Sequence, residues 1–216
     1  VGRKELRNHV LKIFLEKAEN SQSQIIIIPA GEENKTIDSV LSIIKTALKN
    51  SFSRSCRFIA IGGGVISDMT AFASSLFKRG AKLEIVPTTL LSMADACIGG
   101  KTGCDFDNYK NMIGTFYPAS KLHFCPEFIL SLNQTEYLSG LAEVIKTAML
   151  YSPELFDILK IEHEKIMAKD KEILFKICKR FWQSPCNRRN DSVDNDYYTY
   201  SKPSKSKRGK VTFTKR

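Results

Sequence analysis

RFIAIGGGVISDMTAFASSLFKRG, residues 57–80, reads as a strand, a glycine turn and a helix in direct succession. Positions 58–61 are all apolar, the pattern of a strand covered on both faces. Gly62, Gly63 and Gly64 follow at once. Small and apolar side chains then recur at helical spacing until Gly80 closes the segment. Downstream, KLEIVPTTLL (82–91) is a second apolar strand, broken by Pro87. Upstream, Val40, Leu41, Ile43, Ile44, Ala47 and Leu48 form one face of an amphipathic helix. QIIIIPAGE (24–32) reads as a further buried strand ending at Pro29 and Gly31. Residues 3–18 carry Leu6, Val10, Ile13 and Phe14 at helical spacing. Strands alternating with helices predict an α/β fold with a parallel sheet covered on both faces.

From about Asn133 the pattern becomes helical throughout. EYLSGLAEVIKTAML (136–150) is one helix and residues 152–180 hold two more. The expected organisation is an α/β domain over residues 1–131, the start of a helical domain over 132–180, and a basic tail over 181–216. The tail has almost no aliphatic residues, and composition of that kind predicts disorder.

The chain has 216 residues and a formal net charge of +10, with 43% hydrophobic residues. Residues 179–216 contribute +8 of that charge and residues 1–178 only +2. The basic excess therefore belongs to a segment, and no aromatic–basic interleaving supports a nucleic-acid partner. No apolar run approaches the length of a membrane span. The six cysteines are scattered without a C-x-x-C pair, which fits a reducing, cytoplasmic compartment rather than a disulfide scaffold.

Several segments carry candidate chemistry. Glycines after a strand let a ligand approach the backbone, and the following helix presents free amides to an anion, so 62–68 is either a pyrophosphate cradle or a plain strand-to-helix turn. Thr88 and Thr89 fall at the carboxyl edge of the sheet, where α/β folds bind ligands. Asp95 lies among small and apolar residues, where a solvated charge is less expected; a helix cap is its other reading. Lys101 follows Gly99 and Gly100 and is expected on flexible backbone suited to phosphate, or as a solvated lysine. Lys110 and Asn111 stand beside Met112, Ile113 and Phe116, a charged donor and an amide against an apolar wall. Glu143 and Lys146 share one helix face and by themselves read as a surface ion pair.

PAGEENK (29–35), GGGVISD (62–68), KRG (78–80), VPTTLLSMADACIGGKTG (86–103), KNMIGTFYP (110–118) and SGLAEVIKTAML (139–150) occur in an order and spacing that resemble the 3-dehydroquinate synthases. The resemblance implies a Rossmann-like NAD-binding domain followed by a truncated α-helical domain. It implies conversion of 3-deoxy-arabino-heptulosonate 7-phosphate to 3-dehydroquinate and phosphate, in the shikimate pathway. NAD and a divalent metal, zinc or cobalt, are the implied cofactors, and a homodimer the implied assembly. Glu32, Lys35, Gly63, Gly64, Val65, Asp68, Thr88, Thr89, Lys110, Phe128 and Ser131 match cofactor positions. Arg79, Asp95, Lys101, Asn111 and Lys146 match substrate positions, with Lys101 and Lys146 the catalytic candidates. Glu143 matches the metal-ligating carboxylate. Related cyclases such as 2-deoxy-scyllo-inosose synthase share much of the pattern.

The chain departs from the family in two places. Its histidines are His9, His123 and His163 alone, none in the G-H-T motif that supplies a metal ligand. The resemblance fades near Arg180, and the opening strand with its ribose-binding acid is not recognisable. An incomplete synthase that does not hold the metal by itself is therefore expected, with a non-catalytic, nucleotide-binding remnant as the alternative.

Overall fold

The computed structural model describes residues 23–183 and 198–200. The helix expected over 3–18 lies outside the described residues, as does most of the basic tail.

Helix α1, Ile37–Lys49, starts where Thr36 caps it by accepting from the Ser39 amide at 3.2 Å. It buries Val40, Ile43 and Ala47. Strand β1, Arg57–Gly62, leads through Gly63 into α2, Gly64–Leu76, and on to β2, Lys82–Pro87. The two strands pair in parallel with Gly62 opposite Pro87. The strand–glycine–helix–strand reading of 57–87 is borne out. A π-helical turn, Ser92–Ala96, follows.

Strands β3, Lys101–Phe106, and β4, Tyr109–Phe116, then form an antiparallel hairpin. Its turn residues Asp107 and Asn108 lie at φ 48° and 65°. That is the two-residue turn with both centres left-handed, in which Asp and Asn are favoured. Strand β5, Lys121–Phe124, pairs in parallel with β2, and β6, Tyr198–Tyr200, pairs in parallel with β5. The main sheet runs β1-β2-β5-β6, so a short piece of the basic tail supplies its edge strand.

Helices α3, Glu127–Leu130, α4, Gln134–Tyr151, α5, Pro153–Ile161, α6, His163–Met167, and α7, Lys171–Gln183, complete the described chain. Residues 152–180 thus contain three helices where two were expected. Asn133 caps α4 by accepting from the Glu136 amide at 2.8 Å, and Ser152 caps α5 with Pro153 in its first turn. The buried apolar set is continuous from Val40 to Cys178, across the boundary placed at 131. Tyr137 ties α4 to the end of α6 by donating its hydroxyl to the Ile166 carbonyl at 2.6 Å. Among the described residues no helix is long and apolar enough to cross a membrane.

Two expectations need correction. Residues 25–28 are not a buried strand: they belong to no strand and Ile27 is 83% exposed. No described strand pairs with them, and β-branched propensity needs a partner to become a strand. Lys101 does not sit on flexible backbone. It pairs with Phe116 in the hairpin, and Gly99 and Gly100 before it take φ 85° and 68° to turn the chain into β3.

Candidate functional site

Because β1 and β2 are parallel and in register, their carboxyl ends bring the glycine turn and the threonine pair together. The Thr88 amide donates to the Gly62 carbonyl at 2.8 Å. A Cβ on Gly63 would lie 3.2 Å from Cγ2 of Thr89, so glycine keeps that wall open. Gly63 is the N-cap of α2 and offers no side-chain oxygen to the first amides, and the first turn holds no acidic residue. Those amides are left to water or to an anion. Thr89 Oγ1 accepts from the Ser92 amide at 3.1 Å, which seats the π-helical turn. Val65 packs half-buried against the core behind the glycines.

Lys35 is 4% exposed, and a buried ammonium needs acceptors. It has two. Nζ donates to Asp68 Oδ2 at 2.7 Å and to Asn111 Oδ1 at 2.6 Å, joining the chain after the Glu32–Asn34 turn to α2 and to β4. Asn111 is held from its other side too: its amide donates to Asp105 Oδ1 at 2.7 Å, and the Asp105 amide donates to the Lys35 carbonyl at 2.8 Å. Burial raises the Asp68 carboxyl above its ordinary value; the Lys35 ammonium pulls it down, and the charges of Asp95 and Glu32 push it up. Lys110 approaches Glu32 at 3.8 Å with 72% of its side chain exposed, a loose pair at the rim.

Glu32, Lys35, Asp68, Lys110 and Asn111 are therefore gathered by the fold, and Gly63, Gly64, Thr88 and Thr89 by the sheet edge. Asp95 sits on the π-helical turn and is exposed, against the apolar surroundings read from sequence. The turn leaves its side chain on the surface while Ser92, Met93 and Ala94 are buried. Helix α4 packs on this segment. A Cβ on Gly140 would lie 2.5 Å from the Leu91 amide nitrogen and 2.7 Å from Leu90 Cβ. Glu143 and Lys146 form an ion pair three residues apart on α4.

Other expected residues lie elsewhere. Arg79 is exposed at the far end of α2, a helix of 13 residues and so about 20 Å from Gly63. Lys101 is four residues from Asp105 along β3, about 13 Å away. Phe128 is buried in the core, and Ser131 donates its hydroxyl to the Phe128 carbonyl at 2.7 Å. No group of three or more His, Cys, Asp or Glu side chains able to hold a metal ion is gathered among the described residues. A depression of about 470 Å³ beside Arg54, Gly80, Lys82, Tyr117 and Ser120 opens at the amino end of β2, the opposite edge from Gly63. Sequence reasoning passed over Asp105, which carries no motif signal and acts through its carboxylate on the Asn111 main-chain amide and through its own amide on the Lys35 carbonyl.

Residues 25–139 match the family model of the 3-dehydroquinate synthase N-terminal region. The chain is 44% identical over 149 residues to the 3-dehydroquinate synthase of Saccharolobus solfataricus, covering 69% of this chain and 42% of that one. It is 36% identical over 195 residues to the same enzyme of Acidithiobacillus ferrooxidans, covering 88% and 52%. That second alignment runs past Arg180, where the sequence reading ends the resemblance. Among solved structures it is similar to the 2-epi-5-epi-valiolone synthase ValA of Streptomyces hygroscopicus with NAD+ and Zn2+ bound. The TM-score is 0.68 at 32% identity, over 74% of this chain and 45% of that one. It is also similar to a 2-deoxy-scyllo-inosose synthase complexed with carbaglucose-6-phosphate, NAD+ and Co2+, at TM-score 0.55 and 26% identity, over 57% and 34%. The chain spans about half the length of the curated relatives it matches.

Proposed function

The chain belongs to the 3-dehydroquinate synthase family, and on that premise we propose that it forms the NAD-binding half of a 3-dehydroquinate synthase. The whole enzyme would convert 3-deoxy-arabino-heptulosonate 7-phosphate to 3-dehydroquinate and phosphate. The observation that carries this reading is the convergence of Lys35, Asp68 and Asn111 beside the glycine turn. It puts family cofactor positions and a family substrate position on one ammonium.

The residues present fit a dinucleotide. Gly63 leaves open a wall that a methyl group would crowd, and the free amides at the start of α2 suit a pyrophosphate. The hydroxyls of Thr88 and Thr89, at the adjoining strand end, suit the nicotinamide side, with Glu32 and Lys110 at the rim. Bound NAD would accept a hydride from the substrate and return it within one turnover. Beside it Asn111 offers an amide; Lys101, Lys146 and Arg79 match family substrate positions and carry cations suited to phosphate and carboxylate, although this fold sets Arg79 at the far end of α2. Relatives bound with Zn2+ or Co2+ support a divalent metal for the complete enzyme, with Glu143 as one ligand. The described residues do not assemble a second and third, so no step is assigned to the metal. We also read the enzyme as a cytoplasmic homodimer with no nucleic-acid or membrane partner. The apolar Phe106, Tyr109, Met112 and Phe116, exposed along the hairpin, suit such an assembly.

NAD should raise the thermal midpoint of the purified chain. A fusion to the C-terminal half of the Saccharolobus solfataricus enzyme should release phosphate from the heptulosonate phosphate. A chain that NAD does not protect, and a fusion that releases nothing, would refute the assignment.

A further inference from the structure

We propose that Lys35 is a positioning residue for the substrate: it fixes which face of the Asn111 side-chain amide is offered to a ligand. The inference rests on the functional reading above for the identity of that ligand, but not for the geometry. An ammonium carries three donors and no acceptor. The amide atom 2.6 Å from Lys35 Nζ is therefore the oxygen, Oδ1, and the NH2 group is turned to the other side. That NH2 group makes no hydrogen bond among the described residues, and Asn111 is exposed. What remains for a ligand at this position is a donor pair, complementary to phosphate, carboxylate or hydroxyl oxygens. A flipped amide would offer an acceptor and repel an anion.

The rest of the surroundings prevent Asn111 from escaping this choice. Its backbone is left-handed at φ 54°, which asparagine tolerates better than most side chains. The Asp105 carboxylate holds its amide N–H, and the Asp105 backbone is bonded in turn to Lys35. Lys35 thus anchors the residue through both its own main chain and its own ammonium. Asp68 holds the ammonium from the side of α2, and with the side-chain oxygen of Asn111 it takes two of the three donors of a buried lysine. A lysine serving only as a cofactor contact would need neither Asp105 nor the left-handed asparagine.

Lys35→Met keeps the volume and removes the donors. In the ¹⁵N-labelled full chain, without any ligand, the side-chain NH2 resonances of Asn111 should shift and exchange faster with water in Lys35→Met, and stay near their parental positions in Lys35→Arg. Unchanged resonances in Lys35→Met would overturn the proposal. The double variant Lys35→Met/Asp68→Asn, which leaves no unpaired carboxylate, repeats the measurement if the single variant unfolds.

Calorimetric titration with 3-deoxy-arabino-heptulosonate 7-phosphate reads the consequence. Lys35→Met should weaken binding about tenfold, the scale of a lost charge-directed hydrogen bond, and should cause no further loss in an Asn111→Ala background. Asn111→Asp keeps the contact with Lys35 but has no donor, and should lose binding as Lys35→Met does. An equal loss from Lys35→Met with and without Asn111 would also overturn the proposal. A parent chain that does not bind the sugar phosphate at all would count against the functional reading instead, and the resonance measurement would still decide the positioning role.

Discussion

Nε2 of His123 lies 2.8 Å from Oε2 of Glu84, with both side chains buried between neighbouring strands of the parallel sheet. Arg57, on the strand at the other side, donates to Oε1 of the same carboxylate at 3.2 Å. The hydrogen bond from His123 leads in holding the Glu84 carboxyl below its ordinary value of 4.5, against the opposing effect of burial. An ionised carboxylate only accepts, so Nε2 carries the proton in this pair. A carboxyl lowered in the folded state stabilises the fold above its ordinary value and loses that contribution as pH falls through the lowered one. Urea denaturation should therefore show Glu84→Gln less stable than the parent at neutral pH, with the difference shrinking below about pH 4. Glu84→Ala, which removes the carboxylate that accepts from His123 Nε2, should cost about 3 kcal/mol at pH 7. A pH-independent difference would show that Glu84 acts by shape alone.

The parallel core was legible because its signals are local. Residues 58–61 are uniformly apolar, Leu83, Ile85 and Val86 leave Glu84 as the one polar position of the second strand, and glycine or proline marks where each strand ends. The hairpin was not legible, because β4 is exposed at nearly every position and so carries no alternation of apolar and polar residues. Its turn, Asp107–Asn108, lacks the glycine that usually announces one. Four successive isoleucines at 25–28 misled for the opposite reason: strong propensity without a pairing partner makes no strand. Strand order in the sequence already put the glycine turn and the threonine pair at neighbouring strand ends, as the parallel pairing has them. The burial of Lys35 was not legible, since a lysine reads as solvated and its partners Asp68 and Asn111 lie 33 and 76 residues away.

Gly140 decides how α4 meets the sheet domain. A methyl there would sit 2.5 Å from the Leu91 amide nitrogen, and backbone cannot yield as a flexible side chain does. Alanine is otherwise the better helix former, so propensity alone predicts a gain. Contact should prevail: Gly140→Ala is expected to destabilise the chain by about 2 kcal/mol in chemical denaturation, the scale of overpacking in a closed interface. A stabilised variant would mean that α4 shifts freely on the Leu90–Leu91 segment.

Gly63 tests the cofactor cradle with the fold left intact. Its backbone, φ −79° and ψ −169°, is one any residue adopts, so Gly63→Ala carries no conformational strain. The added methyl meets Thr89 Cγ2 at 3.2 Å, a contact relieved by a small side-chain movement. The thermal midpoint without ligand should stay near the parent's. The rise produced by NAD, about 2.7 kcal/mol at a hundredfold excess over Kd, should fall by at least half at the same concentration. Equal NAD protection in both proteins would place the dinucleotide away from the glycine turn.

Glu143 separates a structural role from a ligand role. Its ion pair with Lys146 spans one turn of α4, and the lysine side chain is 60% exposed. Pairs of this kind contribute about 0.5 kcal/mol or less, so Glu143→Ala should barely move the denaturation midpoint of the chain. A loss well beyond that would mean the carboxylate supports the fold. In the fusion carrying the C-terminal half of the Saccharolobus solfataricus enzyme, the same substitution should abolish stoichiometric zinc binding by equilibrium dialysis. A carboxylate lost from a three-ligand site cannot be replaced by a neighbouring lysine, which is cationic and already paired. If the alanine fusion binds zinc as tightly as the glutamate one, Glu143 is only half of a surface ion pair and the metal is held elsewhere.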